Sequence, residues 1–122
     1  MGILDSRVAF VTGAGSGIGA AGAAAMAREG ARVVVTDLNG DAAEQVAAAI
    51  REQGATAEAR ALDVTRDADL TAAIRDTIDR HGRLDVLHSH AGIQVEGKLE
   101  QVAVADMDAS WALNVRAHFV AA

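Results

Sequence analysis

Short apolar runs alternate along the chain with longer segments whose apolar residues recur every three or four positions. Four of the short runs predict strands, and the first two are almost wholly apolar, as is typical of strands buried on both faces of a sheet. Each intervening helical segment ends at a glycine, a residue that closes helices in the left-handed conformation. The predicted strands are residues 7–12, 32–37, 56–62 and 84–88, and the closing glycines are Gly30, Gly54 and Gly82.

Three helices are predicted between the strands, each with one apolar face. Asn39 is a candidate N-cap for the second helix, and the third starts at Thr65 or Asp67. The expected apolar faces are Ile18, Gly22, Ala25 and Met26 in the first helix, Ala43, Val46, Ala47 and Ile50 in the second, and Leu70, Ala73, Ile74, Thr77 and Ile78 in the third.

A polar loop follows Gly92, and a last helical stretch is predicted from Val104 or Asp106 to Ala122, with a break inside it. Strands that alternate with single helices indicate crossover units and a parallel sheet. The predicted fold is therefore α/β, a doubly wound parallel sheet with the strands ordered third, second, first, fourth. We expect residues 1–122 to form one domain of this kind, incomplete and truncated after about four strands.

Composition narrows the possible partners. The chain has 122 residues, of which 51% are hydrophobic, and a formal net charge of −6, which argues against a nucleic-acid partner. It contains no cysteine, so disulfides and cysteine-ligated metals are excluded. No apolar stretch is long enough to span a membrane, and residues 1–7 lack a signal-peptide core, so a cytoplasmic location is expected.

The strongest motif is the run Thr-Gly-Ala-Gly-Ser-Gly-Ile-Gly at residues 12–19, where the first strand gives way to a helix. Small residues there let the backbone turn tightly and approach a pyrophosphate, while free N–H groups at the helix start face the anion. A P-loop of the kind found in nucleoside triphosphatases is disfavoured, because no Lys-Ser or Lys-Thr follows the glycines. The alternative is a turn that is merely flexible.

Asp37 ends the second strand at about the separation from the glycines that dinucleotide-binding units require. Its carboxylate can accept hydrogen bonds from the hydroxyls of an adenosine ribose and would repel a 2′-phosphate. The sequence therefore favours NAD over NADP as cofactor. The alternative is a strand-end aspartate that serves only the turn.

Together these residues resemble the short-chain dehydrogenase/reductase family, whose glycine motif is met by Thr12, Gly13, Gly17 and Gly19. Further matches follow in order along the whole chain: Asp63-Val64 where the family contacts the adenine ring, Ala91-Gly92 after the fourth strand, and Asn114-Val115 behind Trp111. The resemblance implies a Rossmann-type fold, NAD, and a small alcohol or carbonyl substrate interconverted by hydride transfer. It also implies a homo-oligomer.

The resemblance and the motifs together give one set of candidate site residues. Asn114 is the candidate catalytic residue, as the family's helical asparagine. The candidate cofactor-binding residues are Gly13, Gly15, Ser16, Gly17, Ile18, Gly19, Asp37, Asp63, Val64, His90, Ala91 and Gly92.

The chain departs from the family in two respects. Ser89 and His90 stand where the family has two asparagines, which puts those side-chain hydrogen bonds in doubt. The family's serine and Tyr-x-x-x-Lys are expected beyond this chain's end: it has no tyrosine, and its one lysine, Lys98, precedes Asn114. We therefore expect a dehydrogenase fragment without turnover. The alternatives are a stand-alone NAD-binding module with a sensing or regulatory role and a non-functional remnant.

His88 and His90 alternate along the fourth strand and so share one face. Two histidines raise the question of a metal, but no third ligand is evident, and zinc sites use three or four. The sequence therefore predicts no metal site. His81 and His118 receive no role.

Overall fold

The computed structural model describes residues 2–93, 96–98 and 100–122. Within these residues, four strands alternate with helices. The elements are β1 (Val8–Thr12), α1 (Gly17–Arg28), β2 (Arg32–Asp37), α2 (Gly40–Glu52), β3 (Thr56–Ala61), α3 (Asp67–His81), β4 (Val86–Ser89), α4 (Val104–Trp111), a π-helical turn (Ala112–Arg116) and α5 (Ala117–Ala121).

The four strands form one parallel sheet in the order β3-β2-β1-β4, which confirms the predicted fold and strand order. Val11 in β1 lies opposite Val35 on one side and His88 on the other. Because all strands run the same way, their carboxyl ends meet at one edge of the sheet, where ligands of doubly wound folds bind.

Apolar side chains pack on both faces of the sheet. Alternate residues of β1 point to opposite faces, so Val11 packs under α1 and α2 while Phe10 packs towards α3 and α5. All five residues of β1 are buried, which explains why this strand has no polar–apolar alternation in the sequence.

The predicted apolar face of α1 is confirmed only in part, because Met26 is half-buried against the core but Ile18 is not. Ile18 is 73% exposed, and the buried positions are Gly19, Ala23 and Ala27. Small residues face the sheet because α1 lies close against it. In α3, Leu70, Ala73 and Thr77 are buried as predicted, but Ile78, at the margin of that stripe, is 42% exposed.

Other local predictions are confirmed. Asn39 caps α2 by accepting a hydrogen bond from the Ala42 N–H at 3.1 Å, and α3 begins at Asp67. The expected break in the last helical stretch is the π-helical turn. β4 begins two residues later and ends one residue later than predicted. Just before it, Asp85 joins β1 in two ways: its carboxylate accepts the Val8 N–H and its own N–H donates to the Val8 carbonyl, both at 2.9 Å. Among the described residues, no helix has the length and apolar character needed to cross a membrane.

Candidate active site

A cleft of about 820 Å³ lies at the carboxyl edge of the sheet, between the start of α1 and the segments that follow β2, β3 and β4. Its lining combines backbone-exposing glycines, two carboxylates and several apolar side chains. The lining residues are Gly13, Ser16, Gly17, Ile18, Asp37, Leu38, Leu62, Asp63, Val64, Thr65, His90, Ala91, Gly92, Ile93, Leu113 and Asn114.

Glycine is needed for a different structural reason at each of three positions in the β1–α1 turn. Gly17 has φ +58° and its missing side chain faces open space, so the backbone itself meets the cleft. Gly13 has φ +63°, and a Cβ there would come within 2.8 Å of the Ala91 Cα. A Cβ on Gly19 would lie 2.3 Å from the Gly13 carbonyl oxygen, so this glycine lets α1 pack directly on the turn.

The start of α1 is suited to an anion. The Ser16 side chain makes no capping hydrogen bond, and the first turn carries no acidic residue. The first N–H groups of a helix lack intrahelical partners, and the helix dipole places partial positive charge there. A phosphate in the cleft would therefore meet backbone donors at residues 17–19, with no acidic residue in that turn of the helix.

Asp37 also lines the cleft, and its carboxylate ties two backbone segments together. Its Oδ2 accepts the Gly15 N–H at 2.9 Å, and its Oδ1 accepts the Asn39 N–H at 2.9 Å. Each carboxylate oxygen can accept more than one hydrogen bond, so both retain capacity for ribose hydroxyls.

Asp63 is the second carboxylate of the cleft. Its Oδ1 accepts hydrogen bonds from the Thr65 hydroxyl at 2.6 Å and the Thr65 N–H at 3.0 Å. These donors favour the ionised form and hold the pKa of Asp63 below its ordinary value. Asp63 is therefore a fixed negative acceptor at the end of the cleft formed by the segment after β3.

Thr12 joins the ends of β1 and β4. Its buried hydroxyl oxygen lies 2.9 Å from the His90 backbone nitrogen and 3.2 Å from that of Ala91, and it accepts from both. On the other side, the Ser89 hydroxyl pairs with His118 Nδ1. This serine therefore ties β4 to α5 through a histidine that the sequence analysis left without a role.

Asn114 lies in the π-helical turn, and both the oxygen and the nitrogen of its side-chain amide make hydrogen bonds. Its Oδ1 accepts the Ile93 N–H and its Nδ2 donates to the Ile93 carbonyl, both at 2.8 Å. The second Nδ2 hydrogen reaches the Ser110 hydroxyl at 3.0 Å. The amide thus fastens the helix to the segment that follows β4, at the edge of the cleft.

The structure brings all the predicted site residues together along the cleft except Gly15 and Gly19, which do not line it. It also adds five lining residues that sequence reasoning missed. Each adjoins a predicted residue at a strand end or on the last helix, and that adjacency was the available signal. The additional residues are Leu38, Leu62, Thr65, Ile93 and Leu113.

Comparison with known proteins gives a consistent picture. The family model described as short chain dehydrogenase matches residues 7–122. The chain is 38% identical over 121 residues to an uncharacterized oxidoreductase of Bacillus subtilis, covering 98% of this chain and 44% of the relative. It is 38% identical over 117 residues to the D-threitol dehydrogenase of Mycolicibacterium smegmatis, covering 96% and 45%.

Among solved structures, a short chain dehydrogenase from Mycobacterium avium superposes with a TM-score of 0.94 at 37% identity, covering 99% of this chain and 46% of that one. The chain thus spans about half the length of the curated relatives it matches. With the fold, the glycine turn and the strand-end residues in the same order, the chain belongs to the short-chain dehydrogenase family.

Proposed function

We propose that this chain is the NAD-binding part of an oxidoreductase. The observation that carries the proposal is the pairing of an anion-receptive helix start, at residues 17–19, with the Asp37 carboxylate across one cleft. A dinucleotide presents both complementary groups, a pyrophosphate and an adenosine ribose with free hydroxyls.

The described residues fit such a ligand along the whole cleft. Gly17 leaves room for close approach of the pyrophosphate, and the apolar side chains of Leu38 and Val64 flank the end of the cleft that Asp63 closes, where an adenine would lie. His90, Ala91 and Gly92 would line the nicotinamide ribose. Gly15 and Gly19 support the turn from behind. A carboxylate at position 37 disfavours a 2′-phosphate, so NAD is the proposed cofactor.

For the whole protein we propose hydride transfer between an alcohol and a carbonyl of a small substrate, with the hydride supplied or taken up by the bound nicotinamide. Asn114 is the proposed catalytic residue of this half, placed at the cleft edge by its hydrogen bonds to Ile93. Reduction of a carbonyl also needs a general acid, and the chain contains no tyrosine to match the family's donor. We therefore propose that the 122-residue chain binds the dinucleotide without turnover.

The remaining proposals concern context. We propose a cytoplasmic protein that forms homo-oligomers and has no nucleic-acid or membrane partner, in keeping with its net charge of −6. The glycine turn and the hydrogen bonds of Asp37 lie within a single chain, so the proposed dinucleotide site does not depend on the oligomer.

The test is a titration of the chain with NADH and, separately, NADPH, followed by nicotinamide fluorescence and by calorimetry. We expect saturable NADH binding that is tighter than NADPH binding. Equal or tighter binding of NADPH contradicts the NAD assignment, and no binding of either dinucleotide contradicts the proposal as a whole.

A further inference from the structure

The four histidines of the chain separate into two pairs by their surroundings. His81 Nε2 pairs with the Glu58 carboxylate at 3.1 Å, and His118 Nδ1 pairs with the Ser89 hydroxyl. Within the part of the chain that the structure describes, the rings of His88 and His90 have no hydrogen-bond partner, only each other. Among the described residues no buried side-chain nitrogen or oxygen lacks a partner, so the ring nitrogens of this pair are open to solvent and can bind an external ligand.

The two rings lie edge to face with their centres 5.1 Å apart. His88 lies on the α1 face of β4, and His90 follows just past the end of that strand. Metal–nitrogen distances of about 2.0–2.1 Å put the centres of two imidazoles that share an ion roughly 5 Å apart. The observed separation is short enough for both rings to reach one ion.

The surroundings of His88 leave it ready to bind an ion. A Cβ built on Gly22 of α1 would lie 3.3 Å from His88 Nδ1 and Cε1, while Nε2 is more than 4 Å away. The absence of a side chain at Gly22 makes room for the His88 imidazole. The Nε2 atom of that ring points away from α1.

We propose that His88 and His90 form a two-imidazole site for a divalent transition-metal ion, with Cu²⁺ or Ni²⁺ as its best occupants. The described residues offer no third histidine or carboxylate at this place. Solvent or an external ligand fills the remaining positions, an arrangement that Cu²⁺ and Ni²⁺ accept. The sequence analysis predicted no metal site because zinc sites use three or four protein ligands. A site with two protein ligands was not considered in that prediction.

His90 also belongs to the proposed dinucleotide site. The experiment therefore contains no dinucleotide, so that metal binding is measured by itself. The whole chain, stripped of metal with a chelator and dialysed, is titrated with Cu²⁺ by calorimetry, and the bound ion is examined by electron paramagnetic resonance. Four single variants are compared: His88→Ala, His90→Ala, and the matched controls His81→Ala and His118→Ala. Far-ultraviolet circular dichroism checks that each variant is folded.

We expect His88→Ala and His90→Ala each to weaken Cu²⁺ binding by roughly tenfold or more, and each control to change it by less than about twofold. The resonance spectrum of the unaltered chain should show two coordinated nitrogens, and that of either site variant one fewer. His90 lies past the end of β4, so His90→Ala keeps the test valid even if His88→Ala disturbs the packing beneath α1. Tight Cu²⁺ binding that survives both site variants, or is lost equally in a control, overturns the proposal.

Discussion

The Asp37 carboxylate accepts a hydrogen bond from the Gly15 N–H at 2.9 Å, so the residue proposed to select the cofactor also holds the glycine turn in place. A Cβ on Gly15 would lie 2.8 Å from the Asp37 carboxyl carbon and 2.9 Å from the Ala42 Cβ. Gly15 thus supports the site from behind, through contact with Asp37. The two roles of Asp37, selecting a ribose and positioning the turn, predict different effects on binding.

Asp37→Ala should weaken NADH binding by about 1–3 kcal/mol, the scale of hydrogen bonds to a charged group. Loss of the carboxylate also removes its repulsion of the 2′-phosphate of NADPH. The ratio of NADPH affinity to NADH affinity should therefore rise in the variant. Fluorescence titrations with both dinucleotides measure the ratio, with Asp41→Ala, which does not line the cleft, as control. If the variant loses affinity for both equally, Asp37 acts only through the turn.

Gly17→Val should abolish dinucleotide binding, because it puts a side chain where the pyrophosphate must approach. Gly17 has φ +58°, so the change also strains the backbone, and that effect needs its own control. Gly82→Val supplies it: Gly82 has φ +78° and open space around a Cβ, but ends α3 and does not line the cleft. A folded Gly17→Val chain that binds NADH as well as the Gly82→Val chain would contradict the phosphate cradle.

The chain should show no turnover of alcohols or ketones with either dinucleotide above background. The reason is the lack of a tyrosine that could act as general acid. The measurement is nicotinamide absorbance with a panel of small alcohols and ketones. An activity that purifies with the chain and disappears in Asn114→Ala would show this expectation to be wrong.

The ion pair between Glu58 on β3 and Arg80 on α3 should make stability fall in acid. The Arg80 guanidinium donates to both Glu58 oxygens at 2.7 Å, and these bonds lower the pKa of Glu58 from its ordinary value of 4.5. A lowered folded-state pKa stabilises the folded chain above pH 4.5, and that stabilisation is lost as the pH falls through the folded value.

Glu58→Gln should therefore destabilise the chain by about 0.2–1 kcal/mol at neutral pH, the range of solvent-accessible ion pairs, and by less in acid. Urea unfolding at neutral and acid pH measures the difference. Glu52→Gln, at the exposed end of α2, is the matched control. A destabilisation that stays constant across this pH range would mean that the ion pair is not its cause.

The isolated chain should self-associate at micromolar concentration. Large apolar side chains are exposed along the last helical stretch, with Trp111 64% and Phe119 85% exposed, and patches of this kind mark interaction surfaces. Replacing both by serine should shift the chain towards monomer in light scattering after size exclusion. Ile3→Ser, at an equally exposed apolar residue of the other terminus, should not. A sharp monomer peak for the unaltered chain contradicts the prediction.

The sequence by itself determined the order of elements, the parallel sheet and the position of the glycine turn. These depend on local periodicity and on conformations that few residues adopt, such as the positive φ of Gly13 and Gly17. The carboxyl ends of parallel strands meet at one edge, so Asp37, Asp63 and the segment after β4 could be assigned to one site without coordinates.

Tertiary structure decided which face of α1 is buried, because how closely a helix packs on a sheet depends on facing side chains rather than on its own periodicity. Ile18 therefore lines the cleft, while Gly19 packs on the turn. Contacts between distant residues were equally beyond local pattern: His118 meets Ser89 across 29 positions, and Asn114 fastens to Ile93 across 21. Spacing predicted His88 and His90 on one face, but only the structure showed that their rings lie edge to face and that His88 packs against Gly22.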